Sequence, residues 1–82
     1  MAERDDLRTW VLEGIRAHGG SATPIEVAEY IWRNHEQDLR ASGDLFYKWQ
    51  YDMRWAAQTL RDEGILAAKH GRRGGTWDLA GR

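Results

Sequence analysis

Basic, amide and aromatic side chains recur at helical spacing in the C-terminal half of this 82-residue chain. If residues 45–63 form a helix, these side chains share one outer face: Tyr47, Lys48, Tyr51, Arg54, Trp55, Gln58 and Arg61. Arg and Gln can hydrogen-bond base edges in the major groove, while Lys and Tyr can hold phosphates. The pattern predicts binding of duplex DNA through Lys48, Tyr51, Arg54 and Gln58.

A second basic group lies in the turn that follows this helix. Gly64 is a helix stop, and the segments 65–69 and 75–79 predict the two strands of a β-hairpin. The predicted tip carries three basic residues among glycines: Lys69, Arg72 and Arg73. Because glycine lets a loop approach another backbone closely and Arg suits phosphates or a narrow minor groove, we expect this tip to contact DNA. The alternative is an ordinary solvated turn.

Little in the chain suggests catalysis or a metal. There is no cysteine, and the three histidines, His18, His35 and His70, are too scattered for a recognised ligand spacing. No nucleophile–base pair, phosphate-binding glycine loop or carboxylate dyad stands out. We therefore expect a protein that is not an enzyme and needs no cofactor or metal.

The charge distribution is more informative than the net charge of −1. Residues 1–43 carry eight acidic and five basic side chains, a net −3, whereas residues 44–82 carry five acidic and seven basic ones, a net +2. The positive half coincides with the predicted DNA-contacting segments. With no signal peptide and no membrane-spanning run, we expect a cytoplasmic protein that does not bind membranes.

Three helices are predicted, over residues 5–18, 23–34 and 45–63, within one domain spanning 1–82. The first has an apolar face, which consists of Leu7, Trp10, Val11, Gly14 and Ile15. The second opens on Thr23, Pro24 and Glu26, which predict a capping box. Thr23 would then lie close to a DNA phosphate at the start of this helix.

The remaining segments are predicted from weaker signals. The second helix should bury Val27, Ala28, Ile31 and Trp32 and fade near Asn34. Residues 35–44 are polar and predict a loop, with a helical turn around residues 37–40 as the alternative. Such a loop is long for a helix-turn-helix connection, and Asp44 should cap the third helix. That helix should bury six residues: Phe46, Trp49, Met53, Ala56, Ala57 and Leu60. A short third strand is expected near Ser21, paired with the hairpin.

Together these elements predict an α+β winged helix-turn-helix, three helices followed by a β-hairpin wing. Four segments, 42–48, 55–56, 60–66 and 73–79, resemble the N-terminal winged-helix domain of Mrr-type restriction proteins. The shared features are a Ser-Gly and an aromatic-Lys pair, a Trp-Ala in the third helix, a Leu-x-x-x-Gly at its end, and a Gly-x-Trp-x-Leu strand. The resemblance covers roughly residues 22–80, and the first helix departs from the family pattern.

The resemblance implies a winged-helix fold and DNA binding, as in a transcriptional regulator or the DNA-targeting module of a restriction-type system. It does not transfer nuclease activity, which in that family belongs to a separate catalytic domain. The alternative function is a protein–protein interaction module, because aromatic residues and Arg anchor protein interfaces. A protein partner or a second copy in a homodimer would then bind the Tyr51 and Trp55 face.

The aromatic residues of the outer face also have a structural interpretation. Tyr47, Tyr51 and Trp55 could cover the hairpin, or the loop before the third helix, within the fold. For Trp55 the sequence favours that structural role. For Arg54 and Gln58 it favours contact with a ligand.

Overall fold

Three helices form most of the computed structural model, which describes residues 3–67 and 75–80. In chain order the elements are α1 (Asp6–Ala17), β1 (Ser21–Ala22), α2 (Pro24–Arg40), α3 (Leu45–Asp62) and β2 (Trp77–Asp78). The fold is α+β, with three helices packed together and a small antiparallel sheet. No helix in the described ranges is both long and apolar enough to cross a membrane.

Local signals account for the buried face of α1 and for the start of α2. The predicted apolar face of α1 is buried in full. At the start of α2, the backbone N–H of Glu26 donates to Thr23 Oγ1 (3.0 Å), and the N–H of Thr23 donates to Glu26 Oε1 (2.9 Å). Both halves of the predicted capping box are thus confirmed, with Pro24 in the first turn of the helix.

The predicted loop over residues 35–44 is wrong for residues 36–40, which are helical. The regular helix is nevertheless interrupted just after Asn34, where it was expected to fade, and residues 37–40 have the helical geometry of the alternative prediction. Helix α2 continues to Arg40 across a kink at His35, whose backbone leaves helical geometry (φ −132°, ψ 20°). The extension persists because Leu39 is completely buried in the core, and because Arg40 pairs with Glu36 one turn earlier (2.7 Å). Only residues 41–44 remain to connect α2 to α3.

Asp44 does not cap α3 as expected. Its backbone is already helical, and its side chain makes no capping hydrogen bond. Backbone bonds hold the turn instead: the N–H of Leu45 donates to Ser42 O (3.3 Å), and that of Phe46 to Gly43 O (3.0 Å). These bonds satisfy two of the donors that a cap would otherwise serve.

The inner face of α3 packs on α1 and α2. Five of its six predicted core residues are buried, whereas Phe46 is half-buried. Leu45 and, against expectation, Asp52 are buried as well. The fully buried large side chains come from all three helices and the segment after α3: Leu7, Val11, Ile15, Val27, Ile31, Leu39, Leu60 and Leu66.

The short strand expected near Ser21 is confirmed. It is β1, which pairs antiparallel with β2 in the register Ser21 to Asp78 and Ala22 to Trp77. On the other side of β2, an isolated antiparallel bridge joins Leu66 to Leu79, and the N–H of Ala67 donates to Asp78 O (2.8 Å). The segment around β2 therefore lies between β1 and the residues that follow α3.

The predicted hairpin strands 65–69 and 75–79 are described only in part. In the described parts of these two segments, residues 65–67 and 75–79, strand geometry is limited to β2 and the bridge between Leu66 and Leu79. Leu66 and Trp77 are buried in the core, and Leu79 is half-buried against it. The predicted tip with Lys69, Arg72 and Arg73 lies outside the described residues.

Candidate nucleic-acid interface

The outer face of α3 carries two tyrosines and two basic residues whose side chains are exposed to solvent. Tyr47 is 85% exposed and Tyr51 is 75% exposed. Lys48 and Arg54 are also exposed, and neither has a hydrogen-bond or ion-pair partner within residues 3–67 and 75–80. Because a surface cation without an internal partner can bind an anion without first breaking a contact, these two side chains are more available to an anion than Arg61, which is engaged within the fold.

Gln58 lies on the same exposed face, but its amide is already engaged. Its Nε2 donates to Asp62 Oδ1 (2.9 Å), and its Oε1 accepts from Arg61 Nη1 (3.0 Å). A side chain that is bonded at both ends of its amide must release these partners before it can pair with a base edge. The sequence favoured ligand contact for both Gln58 and Arg54. In the described part of the structure, Gln58 is hydrogen-bonded to neighbouring side chains and Arg54 is not.

Arg61 links α3 to the segment that follows it. It is half-buried, and its Nε donates to the carbonyl oxygen of Ala67 (3.3 Å) while its Nη1 holds Gln58. The side chain thus links the C-terminal turn of α3 to Ala67, whose N–H donates to Asp78 in β2. This role is structural, and the sequence did not distinguish it from a role in ligand contact.

Trp55 is part of the packed fold, but the contacts that the structure describes for it are with the core and with Arg4, so its expected role in covering the hairpin or the loop before α3 stays a prediction. The residue is half-buried against the core, and the guanidinium carbon of Arg4 lies 3.6 Å from the ring centroid. This is a cation–π contact from the residues that precede α1. Tyr47 and Tyr51, by contrast, are too exposed to cover the hairpin or the α2–α3 connection, so that interpretation is wrong for them.

Thr23 lies at the start of α2, where its hydroxyl oxygen serves the capping box. The hydroxyl hydrogen is not used by that bond and can still donate to an anion. The structure thus gives Thr23 a structural role and leaves its proposed phosphate contact as a prediction. Lys69, Arg72 and Arg73, the other predicted ligands, fall in the undescribed segment.

Two features of α3 escaped the sequence analysis. Asp52 is only 4% exposed, with Oδ1 3.9 Å from Arg4 Nε. Its Oδ2 has no hydrogen-bond partner in the described part of the chain. The spacing of Asp52 from the buried Trp49 and Ala56 is the signal that could have indicated its burial, whereas its approach to Arg4 joins segments that are distant in the sequence.

The second missed feature is a groove of about 490 Å³ between α2 and α3. Its walls include Ile25, Glu29 and Trp32 from α2 and Phe46, Trp49 and Gln50 from α3. Ile25 carried the signal that could have revealed it. This apolar residue falls outside the predicted core face of α2, and it is 70% exposed in the structure.

In the described ranges, no group of three or more histidines and carboxylates has an arrangement that could hold a metal ion. His35 Nε2 lies 3.0 Å from Glu13 Oε1, and its ring stacks on Trp10. These contacts use the histidine within the fold.

Comparisons of the chain with known protein families, with characterised proteins and with solved structures found no match. The likeness to Mrr-type N-terminal domains therefore rests on the motifs alone.

Proposed function

We propose that this chain is a winged helix-turn-helix domain that binds duplex DNA, with α3 entering the major groove. The proposal depends on Lys48 and Arg54, which lie on the exposed face of a helix that follows a four-residue turn and have no partner in the described ranges. Helix-turn-helix motifs use a turn of three to four residues that often contains glycine, and residues 41–44 include Gly43. The predicted loop over residues 35–44 would have been long for this motif, whereas the observed connection, residues 41–44, has the usual length.

The sheet supports the winged form of this motif. The residues after α3 run antiparallel to the segment around β2, and β2 also pairs with β1. The sequence-predicted basic tip, with Arg72 and Arg73, falls in the chain between Ala67 and Gly75. In our proposal these arginines contact the DNA backbone beside the major-groove site.

The proposal also assigns a biological role of the kind that the resemblance implies. A module of this type directs a transcriptional regulator or a restriction-type system to DNA. The mild positive charge of residues 44–82 and the negative charge of residues 1–43 would orient the domain on the duplex.

Fluorescence anisotropy with a mixed-sequence duplex tests the proposal. We expect binding that weakens steeply between about 50 and 200 mM salt, because phosphate contacts release counterions. Lys48→Ala/Arg54→Ala should reduce the affinity and flatten the salt dependence, and so should Arg72→Ala/Arg73→Ala. Arg16→Ala removes an exposed charge from the last turn of α1 and is the control. Equal losses in Arg16→Ala and the α3 double variant, or no binding at low salt, would refute the proposal.

A second candidate function is protein–protein interaction, and the exposure of Tyr47 and Tyr51 favours it. Tyrosines at a protein interface bury apolar area, so such binding would tolerate moderate salt. Size-exclusion light scattering of the chain detects a homodimer, and Tyr47→Ala/Tyr51→Ala should dissociate it. If that variant instead loses DNA binding alone, the tyrosines belong to the DNA interface.

A further inference from the structure

We propose that the groove between α2 and α3 is a binding site for a small planar aromatic cation. Its volume of about 490 Å³ falls within the range of small-molecule pockets, roughly 300–1,000 Å³. The site is independent of the proposed DNA interface, since its walls include Glu29, Trp32, Phe46 and Gln50, whereas the outer face carries Tyr47, Tyr51 and Arg54.

The aromatic walls favour a flat ligand. The rings of Trp32 and Trp49 are nearly parallel, at 8° with centroids 6.2 Å apart, and Phe46 lies 6.3 Å from Trp32. Trp32 and Phe46 are only half-buried, so part of each ring remains open to a ligand. Aromatic rings stack favourably on other flat π-systems.

The same rings already accept a positive charge within the fold. The guanidinium of Arg40 lies 5.2 Å from the Trp32 centroid and 5.7 Å from that of Phe46. Both distances are within the range in which a cation is attracted to the face of a ring. A flat cation in the groove would be attracted to the negative ring faces in the same way.

Glu29 supplies the charge that selects a cation. Its side chain is exposed on the groove wall and has no hydrogen-bond or ion-pair partner in the described ranges. Gln50, on the opposite wall, is likewise exposed without a described partner and offers a carbonyl oxygen. A cation would be attracted to this unpaired carboxylate, a neutral ring would gain no such attraction, and an anion would be repelled.

Titration of the protein with N-methylacridinium, a permanent planar cation, tests this site. Acridine, kept uncharged in mildly alkaline buffer, is the matched neutral probe. Amide and indole NMR signals locate the binding, and calorimetry measures the affinity. We expect N-methylacridinium to bind about tenfold more tightly than acridine and to shift the signals of Trp32, Trp49 and Gln50.

Glu29→Gln keeps the shape of the side chain and removes its charge. It should weaken binding of N-methylacridinium severalfold and leave acridine unchanged, whereas Asp5→Asn, an exposed acid at the start of α1, should change neither. Equal affinity for the two probes, no binding of the cation, or an unchanged Glu29→Gln variant would overturn the proposal. Groove signals that shift with protein concentration alone would show that a second copy covers the groove, and would overturn it too.

Discussion

The imidazole of His35 lies flat against the indole of Trp10, with ring centroids 4.0 Å apart and planes 11° from parallel. Glu13, one turn further along α1, adds a hydrogen bond to the same imidazole. His35 is the residue at which α2 kinks. The contacts from Trp10 and Glu13, on adjacent turns of α1, therefore fix the position of the kink. The second half of α2 is thereby directed so that Leu39 enters the core and α3 begins shortly afterwards.

His35→Ala should destabilise the protein by about 1–2 kcal/mol, because it removes the stack on Trp10 and the bond to Glu13. Urea denaturation followed by tryptophan fluorescence measures the change. His18→Ala is the control, since His18 is exposed and has one bond to the backbone oxygen of Gly14. A loss in His35→Ala no larger than that in His18→Ala would contradict the role given to the stack.

Two glycines should respond to the same substitution with opposite sign. Gly14 lies inside α1, where an added Cβ would be 3.4 Å from carbons of Tyr30 and Val27. Gly14→Ala should therefore stabilise by about 0.5–1 kcal/mol through helix propensity. Gly64 ends α3 with a φ of +82°, and Gly64→Ala should destabilise by about 1–2 kcal/mol although the space around it is open.

Thermal denaturation of the two alanine variants measures both effects. If Gly14→Ala lowers the melting temperature, the helix pair α1–α2 is packed too tightly at this point to admit a methyl group. If Gly64→Ala is neutral, the backbone at the end of α3 does not need its left-handed conformation.

Asp52→Leu should raise the free energy of unfolding by about 1 kcal/mol. The carboxylate is buried and lacks a described partner for Oδ2, whereas Arg4 is half-exposed and stays solvated without it. In a domain of this size the gain corresponds to a melting temperature roughly 4–8 °C higher. Asp52→Asn keeps a polar group in the same place and should gain less. A lower melting temperature for the leucine variant would show that the carboxylate stabilises the fold through Arg4.

If α3 binds DNA as proposed, Arg54→Ala and Gln58→Ala should differ. Arg54 has no described partner to lose, so its removal should weaken binding roughly tenfold and lower the salt slope by about one. Gln58 is held by Asp62 and Arg61, and Gln58→Ala should change affinity less than about twofold. Anisotropy at several salt concentrations compares the two variants. A larger loss for Gln58→Ala would show that the amide leaves these partners on binding.

Local patterns in the sequence predicted the parts of the fold that depend on neighbours along the chain. The capping box at Thr23 and Glu26 joins residues three apart, so α2 begins where expected. The apolar faces of α1 and α3 follow helical periodicity, and they are buried almost as predicted. The expectation of DNA binding also came from local spacing, namely the recurrence of Lys48, Arg54 and the tyrosines on one face.

Tertiary structure decided the features that depend on contacts between distant segments. The mostly polar residues 36–40 are helical because Leu39 is buried in the core and because the stack of His35 on Trp10 fixes the kink that precedes them. Arg4 covers Trp55, and the α2–α3 groove exists only between two packed helices. Side-chain periodicity reports which face of a helix is apolar, but the partner that covers a residue and the space left between two helices follow only once the chain has packed.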